Sequence, residues 1–125
     1  DLYAGGRHQG EIATALAEER EAQWRVQSLE QTVRHDVREA RENLREARAR
    51  HASATDNTER AKENVRLVKQ RYGQGRTLLI DLLQAERSHT DARGEELVSR
   101  VNLEVGQSAL QLAEGALPLP PEKGQ

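Results

Sequence analysis

The feature that most constrains this chain is a single break in an otherwise continuous helical pattern. The break lies at Tyr72–Thr77, where the chain reads YGQGRT and contains Gly73 and Gly75. Glycine adopts the positive φ angles that end helices, so it favours a reversal of the chain here. Thr77 is a candidate N-cap for a second helix. The break therefore predicts a helical hairpin with a tip turn at residues 73–76.

The composition argues against a compact globular domain. Charged residues make up 32% of the chain, aromatic residues only 2%, and Phe and Met are absent. Such a composition is typical of long helices and coiled coils. The absence of cysteine excludes disulfides and thiolate chemistry. The near balance of 19 basic and 21 acidic residues argues against a nucleic-acid partner.

Small and apolar residues recur at heptad spacing before the turn, and they predict a first helix over about residues 9–72. From Val37 onward the spacing alternates between three and four residues, the pattern of a coiled-coil seam. The seam positions are Val26, Leu29, Val33, Val37, Ala40, Leu44, Ala47, His51, Ala54, Thr58, Ala61, Val65, Val68 and Tyr72.

A second helix is predicted over about residues 77–114, which makes the fold all-α: a long antiparallel, coiled-coil-like hairpin. Gly115 and the proline-rich stretch after it would end this helix. Residues 118–125 are expected to form a disordered tail. The seam of the second helix is expected to include Leu97, Val101, Val105, Ala109 and Leu112.

The two predicted helices differ in length, which leaves part of the first without a partner. If the turn is centred between Gln74 and Gly75, facing residues have numbers that sum to about 149. Residues from about 7 to 33 then face nothing in this chain. A lone helix of this kind is only marginally stable. We therefore expect this stretch to be exposed and to need another chain or further sequence, with self-association of the isolated chain.

The sequence offers no pattern for catalysis or for a bound metal or cofactor. Its four histidines are scattered, and none is followed four residues later by a second histidine. Serines lie within helical patterns rather than in a nucleophile elbow. We predict that the chain is not an enzyme and has no metal site and no cofactor.

Asp81, one turn into the second helix, admits two interpretations. A carboxylate is favoured near a helix N-terminus, where the helix dipole is positive. Alternatively, if several hairpins form a ring, Asp81 would repeat around a pore, and rings of carboxylates select cations. Arg71 and Arg76 flank the turn, and they would be solvated, pair with Asp81 or bind a partner.

Three parts of the chain together resemble the outer membrane efflux (TolC-like) family, in particular its second internal repeat. They are Leu2–Gly6 (LYAGG), Tyr72-x-x-Gly75 and Leu79–Leu83 (LIDLL). The resemblance implies that residues 1–6 end a barrel strand and that 7–117 form a hairpin of a periplasmic tunnel. It also implies a trimer in the Gram-negative envelope, anchored in the outer membrane by a barrel outside this sequence. The implied partners are a periplasmic adaptor and an inner-membrane pump.

The resemblance also assigns roles at the turn. Asp81 matches an aspartate that lines the closed tip in relatives, while a second such aspartate falls on Gln84 and the tip arginine falls on Thr77, next to Arg76. The implied tip and gate residues are Asp81, Arg76, Tyr72 and Gln84, the turn glycines are Gly73 and Gly75, and the partner-docking residues are Arg71, Thr77 and Leu79.

Two other interpretations stay open at the level of sequence. A periplasmic adaptor also contains a long antiparallel hairpin, but β-rich halves should flank it. A generic coiled-coil self-assembly module would have larger residues along its seam than the Ala, Thr and Gly found here.

Overall fold

The computed structural model describes residues 2–116, and the side chains from Gly5 onward. Two helices account for nearly all of this range: α1 spans Leu2–Gly73 and α2 spans Leu79–Gly115. Neither a strand nor a third helix occurs between residues 2 and 116. The predicted all-α antiparallel hairpin is therefore confirmed. The expected disordered tail at 118–125 lies outside the described residues.

The N-terminal end of α1 differs from the expectation. The sequence predicts a junction at residues 1–6 and a helix from about residue 9, whereas α1 already begins at Leu2. Gly5 and Gly6 lie within this helix. Extending an existing helix adds one hydrogen bond per residue without a new nucleation cost, and this lets the helix include the two glycines.

The seam of α1 lies where the heptad pattern predicts it. Val37 and Leu44 are each 5% exposed, and Thr58 is 8% exposed. The remaining predicted positions between Val33 and Val68 are half-buried. This half of α1, residues 33–68, is called the paired half below.

The predicted seam of α2 is wrong. Leu97, Val101, Val105, Ala109 and Leu112 are all exposed. A different face of the helix, about half a turn away, packs on α1. Its members repeat at three- and four-residue steps, and half of them are small: Leu82, Ala85, His89, Ala92, Glu96, Ser99, Leu103, Gly106, Leu110 and Ala113.

Side-chain size explains why this face packs on α1. Leu44 lies against Gly106, where an added Cβ would be 3.6 Å from Leu44 Cδ1. Cross-helix hydrogen bonds join Thr58 to Ala92 and His51 to Ser99, so facing residues have numbers that sum to about 150. The predicted register is thus correct to within about one residue. By this register Leu103 lies level with Ala47 and Leu110 with Ala40, so large side chains face small ones and the helix axes approach closely.

The N-terminal half of α1 extends beyond α2, as expected from the difference in length. Near the end of α2, an ion pair joins the helices, with Arg41 Nη2 3.2 Å from Glu114 Oε1. Every described side chain from residue 5 to residue 29 is exposed. The exposed fractions of Ile12, Trp24 and Leu29 are 56%, 67% and 65%. Residues 2–32 are called the projecting half below.

Candidate docking tip

The turn between the helices is a Schellman motif, a helix ending that satisfies the last carbonyl groups. The N–H of Arg76 donates to the carbonyl of Arg71 at 2.8 Å, and the N–H of Gly75 donates to that of Tyr72 at 3.0 Å. Gly75 is in the left-handed region with φ of 68°, where a residue with a Cβ is strained. Gly73, the other predicted turn glycine, is the last residue of α1 and has no positive φ. Only one of the two glycines is therefore required by the turn.

The second helix begins at Leu79, two residues after the predicted start at about residue 77. Its N-cap is Leu78, with extended backbone angles, rather than Thr77. The cap is supplied from inside the helix, because Asp81 Oδ2 accepts hydrogen bonds from the Leu78 N–H at 3.1 Å and from Thr77 Oγ1 at 2.6 Å. The first bond is half of a capping box, and the second ties the turn to the helix.

These bonds change the ionisation of Asp81. The Thr77 hydroxyl first, and the Leu78 backbone N–H second, hold the pKa of the Asp81 carboxyl below its usual value. Both donors stabilise the charged form. The structure therefore brings Asp81 and Thr77 together as a cap for α2.

Large apolar side chains surround this cap and point into solvent. Leu78, Leu79, Ile80 and Leu83 are exposed by 69%, 51%, 54% and 55%, and Tyr72, across the turn, is exposed by 42%. Five large side chains on one rigid turn form an apolar surface of the kind that marks an interaction site.

The predicted polar residues of the turn lie around this surface. Arg71, Arg76 and Gln84 are exposed. Within residues 2–116, neither arginine comes within 4.0 Å of an acidic group, so the considered pairing with Asp81 is not formed. Residues 71–84, called the tip below, thus combine an apolar surface, two cationic side chains and one carboxylate committed to capping.

A second apolar surface was missed by the sequence reasoning because its residues were assigned to the seam. On the outward face of α2, Leu97, Val98, Val101, Val105 and Leu112 are exposed by 63%, 61%, 51%, 62% and 80%. An open groove runs beside it between the helices, lined among others by Ala47, Arg50, Gly94, Val98, Val105 and Ala109. These exposed residues and the residues that pack on α1 lie on different sides of the helix. Their separate spacings indicate that α2 has two apolar faces.

The one cluster with metal-ligand chemistry among the described residues is weak. His35, Asp36 and Glu39 place their ligand atoms within 4.8 Å of one another, but all three are fully exposed on the surface of α1. Such a group on one helix is common as a set of solvated ion pairs. Ser99, Ser108 and Thr90 donate hydrogen bonds to carbonyl groups of their own helix. The geometry of the described residues supports binding surfaces rather than a reaction.

The comparisons with known proteins agree with this geometry. A family model described as outer membrane efflux protein matches residues 1–116, and so includes both helices and the tip. The chain belongs to the outer membrane efflux protein family. Comparison with curated proteins and with solved structures gives no match.

Membership in the outer membrane efflux protein family fixes the broad function. The family consists of Gram-negative outer membrane channel proteins, which transport rather than catalyse. Its members work as trimers together with an adaptor and a pump. Neither α1 nor α2, as far as they are described, contains a stretch that is apolar enough and long enough to cross a lipid bilayer.

Proposed function

We propose that this hairpin forms part of the periplasmic α-helical tunnel of a trimeric outer membrane channel, and that its tip binds the periplasmic adaptor of a tripartite efflux or type I export system. The observation that carries the proposal is the exposed apolar surface on the tip of a hairpin that the family match covers in full.

The tip is built for docking because it is both apolar and rigid. The Schellman bonds fix the end of α1, and the Asp81 cap fixes the start of α2. A pre-organised surface loses little conformational entropy when a partner binds. Leu79 and its apolar neighbours supply the area that a partner covers, and Arg71 and Arg76 supply charge at the rim. Aromatic and arginine side chains are enriched at such interfaces.

The tunnel assignment draws on the outward face of α2. A single hairpin in water should not expose five large apolar side chains along one helix. In a closed wall of helices, each hairpin has a neighbour on both sides. The narrow α1–α2 seam then forms one contact, and the outward face of α2 forms the next.

Adaptor docking can be tested by cross-linking in the intact channel protein. The chain contains no cysteine, so Leu79→Cys introduces a single thiol at the tip. A thiol-linked photo-cross-linker at this position is expected to capture the adaptor in the cell envelope. Glu59→Cys, on an exposed part of the paired half, is the control and should give no adaptor product. Equal cross-linking of the adaptor from both positions would show that the tip is not the docking site.

A second part of the proposal is that Asp81, Arg76, Tyr72 and Gln84 form the gate at the periplasmic end. Asp81 is half-buried and held by Thr77, so three copies in a trimer would carry fixed carboxylates around the opening. Fixed rings of carboxylates favour cations in a pore. The proposed gate therefore depends on the same hydrogen bonds that cap the N-terminus of α2.

Single-channel recording separates the charge of Asp81 from its capping role. Asp81→Ala removes both the charge and the cap, and we expect altered conductance and weaker cation selectivity. Thr77→Val removes one bond of the cap but leaves the carboxylate, and we expect selectivity to remain. Unchanged conductance and selectivity in Asp81→Ala would refute the gate.

The two other interpretations have less support. An adaptor hairpin and a generic self-assembly module both fit a helical hairpin, but neither accounts for the match to the outer membrane efflux family.

A further inference from the structure

Hydrophobicity alone does not decide which face of α2 packs on α1, because both faces carry large apolar side chains. The outward face carries Leu97, Val101, Val105 and Leu112, all more than half exposed. The face that packs on α1 carries Leu82, Leu103 and Leu110 among smaller residues such as Ala92 and Gly106. Residues two positions apart lie about half a turn apart around a helix. Rotating α2 by half a turn would therefore exchange one set of large apolar side chains for another against α1.

Something on the observed face must oppose this rotation, and the hydrogen bonds of the seam identify it. Besides the ion pair at Arg41, the side-chain hydrogen bonds that cross between the described helices come from one short region. We call this region the polar layer: His51, Thr55 and Thr58 on α1, with Ala92, Glu96 and Ser99 on α2.

Each bond of the polar layer depends on which face of α2 is inward. Thr58 Oγ1 lies 3.2 Å from the Ala92 carbonyl oxygen, which a larger residue than Ala would shield. Thr55 Oγ1 donates to Glu96 Oε1 at 3.2 Å. Thr58 Oγ1, only 8% exposed, also lies 3.1 Å from the carbonyl oxygen of Ala54 on its own helix. Rotation by half a turn would move both acceptors on α2 away and leave Thr58 with Ala54 alone.

The third bond joins the His51 ring to Ser99. Ser99 Oγ donates to the Glu96 carbonyl at 2.7 Å, and His51 Nδ1 lies 3.1 Å from the same oxygen. In the tautomer with its proton on Nδ1, His51 donates to Ser99. Rotation of α2 would put the aliphatic Val101 against this ring nitrogen, and burying a polar group without a partner is costly.

From these contacts we propose that the polar layer selects which face of α2 packs on α1. It holds the observed face inward and so keeps Leu97, Val101, Val105 and Leu112 outward. A polar position in a coiled coil specifies one arrangement at some cost in stability. This role goes beyond the proposed channel function, because it concerns how the hairpin itself folds.

The proposal can be tested on the full chain with pairs of introduced cysteines. The Cβ of Ala47 is 4.0 Å from the position of a Cβ at Gly106, which matches the separation in a disulfide. The pair Ala47→Cys and Gly106→Cys therefore reports the observed face. The pair Ala47→Cys and Glu104→Cys reports the rotated face, because Glu104 is exposed and lies two positions, about half a turn, from Gly106.

The two cysteine pairs are compared in two variants of the chain, each of which lacks two threonine hydroxyls and one serine hydroxyl. The first, Thr55→Val, Thr58→Val and Ser99→Ala, removes the polar layer. The control, Thr32→Val, Thr90→Val and Ser108→Ala, removes the same three groups where each bonds only to its own helix. Disulfide yield in redox buffer gives the ratio of the two faces, and circular dichroism gives the helix content.

The expected results are specific to the polar layer. Without it, the ratio of the 47–104 disulfide to the 47–106 disulfide should rise at least about tenfold, since the hydrogen bonds that Thr55, Thr58 and Ser99 make across the seam are lost. The control background should keep the original ratio. An unchanged ratio without the polar layer would overturn the proposal. Loss of both disulfides together with helix content would also overturn it, because the bonds would then hold the helices together rather than select a face.

Discussion

The two halves of α1 have the same secondary structure but opposite surroundings. In the paired half, Val37 and Leu44 are each 5% exposed. In the projecting half, Leu16 and Leu29 are exposed by 50% and 65%, and Trp24 by 67%. The projecting half holds the larger apolar side chains and yet buries none of them, because α2 does not extend that far.

This comparison shows that a heptad pattern predicts which face of a helix can be buried, but not whether a partner covers it. The paired half has a narrow seam in which Ala, Thr and His are sufficient, because small side chains let the helix axes approach closely. The projecting half keeps apolar area that water must solvate, at about 25 cal/mol for each Å² left exposed. Its stability in the intact protein depends on contacts outside this hairpin.

The difference between the two halves of α1 should have its largest effect on the free energy of unfolding of the hairpin. Leu44→Ala removes a buried side chain and is expected to lower the free energy of unfolding by about 2–3 kcal/mol. Leu16→Ala, in the projecting half, should change it by no more than about 0.5 kcal/mol. Urea unfolding followed by circular dichroism measures both. Equal losses would show that the projecting half is packed in solution.

The exposed apolar side chains of the projecting half also predict self-association. Trp24 is the only tryptophan, so its fluorescence reports on this half alone. We expect its emission to shift to shorter wavelength as concentration rises, with larger species in sedimentation. Leu16→Glu should reduce both effects, whereas Leu67→Glu, on an exposed site of the paired half, should not. A stable monomer at high micromolar concentration would exclude this association.

The turn brings α2 against the paired half of α1. Its two glycines should respond differently to substitution by alanine. Gly75→Ala places a Cβ at a φ of 68° and is expected to cost about 1 kcal/mol of stability. Gly73→Ala, at the end of α1, should be neutral or slightly stabilising because Ala favours helix. Thermal unfolding of the two variants measures the difference. Equal destabilisation by both would contradict the assignment of Gly75 as the left-handed residue.

The smallest expected effect is the pH dependence contributed by the Asp81 cap. Folding lowers the pKa of Asp81, so its contribution is present above the usual carboxyl pKa and is lost as pH falls through the folded value. Asp81→Asn should therefore be less stable than the parent chain at neutral pH and equal to it in acid. Asp91→Asn, at an exposed site within α2, is the control. A difference between the parent chain and Asp81→Asn that persists at low pH would show that the charge is not the stabilising element.

Much of this fold could be predicted from sequence because the features are local. The break at Gly75, the α1 seam and the length of the projecting half follow from residue spacing. Asp81 could be assigned only in part: its position near a helix N-terminus suggested a favourable charge, but not the bond to Thr77. Leu78 as N-cap was missed because a leucine offers no capping group of its own, and here Asp81 supplies the cap from within the helix.

The face of α2 could not be predicted from hydrophobicity because both faces of the helix carry large apolar side chains. Large residues such as Leu97 and Val105 would bury more area individually, but Gly106 lets Leu44 and the backbone approach closely. Such a fit depends on both helices together, so neither helix alone shows it. The apolar surface of the tip was also only partly predicted. Leu79 was predicted as a docking residue, but Leu78 and Ile80 were not.

The register of the hairpin also sets the order in which it can fold. Because facing residues have numbers that sum to about 150, the loop that a contact closes grows by two residues for each step away from the turn. Contacts that close short loops lose the least chain entropy, so they form earliest. The tip is therefore expected to nucleate folding, and the helices then zip together toward Arg41 and Glu114. The segment proposed to meet the adaptor would be the first part of the hairpin to become ordered during synthesis and export.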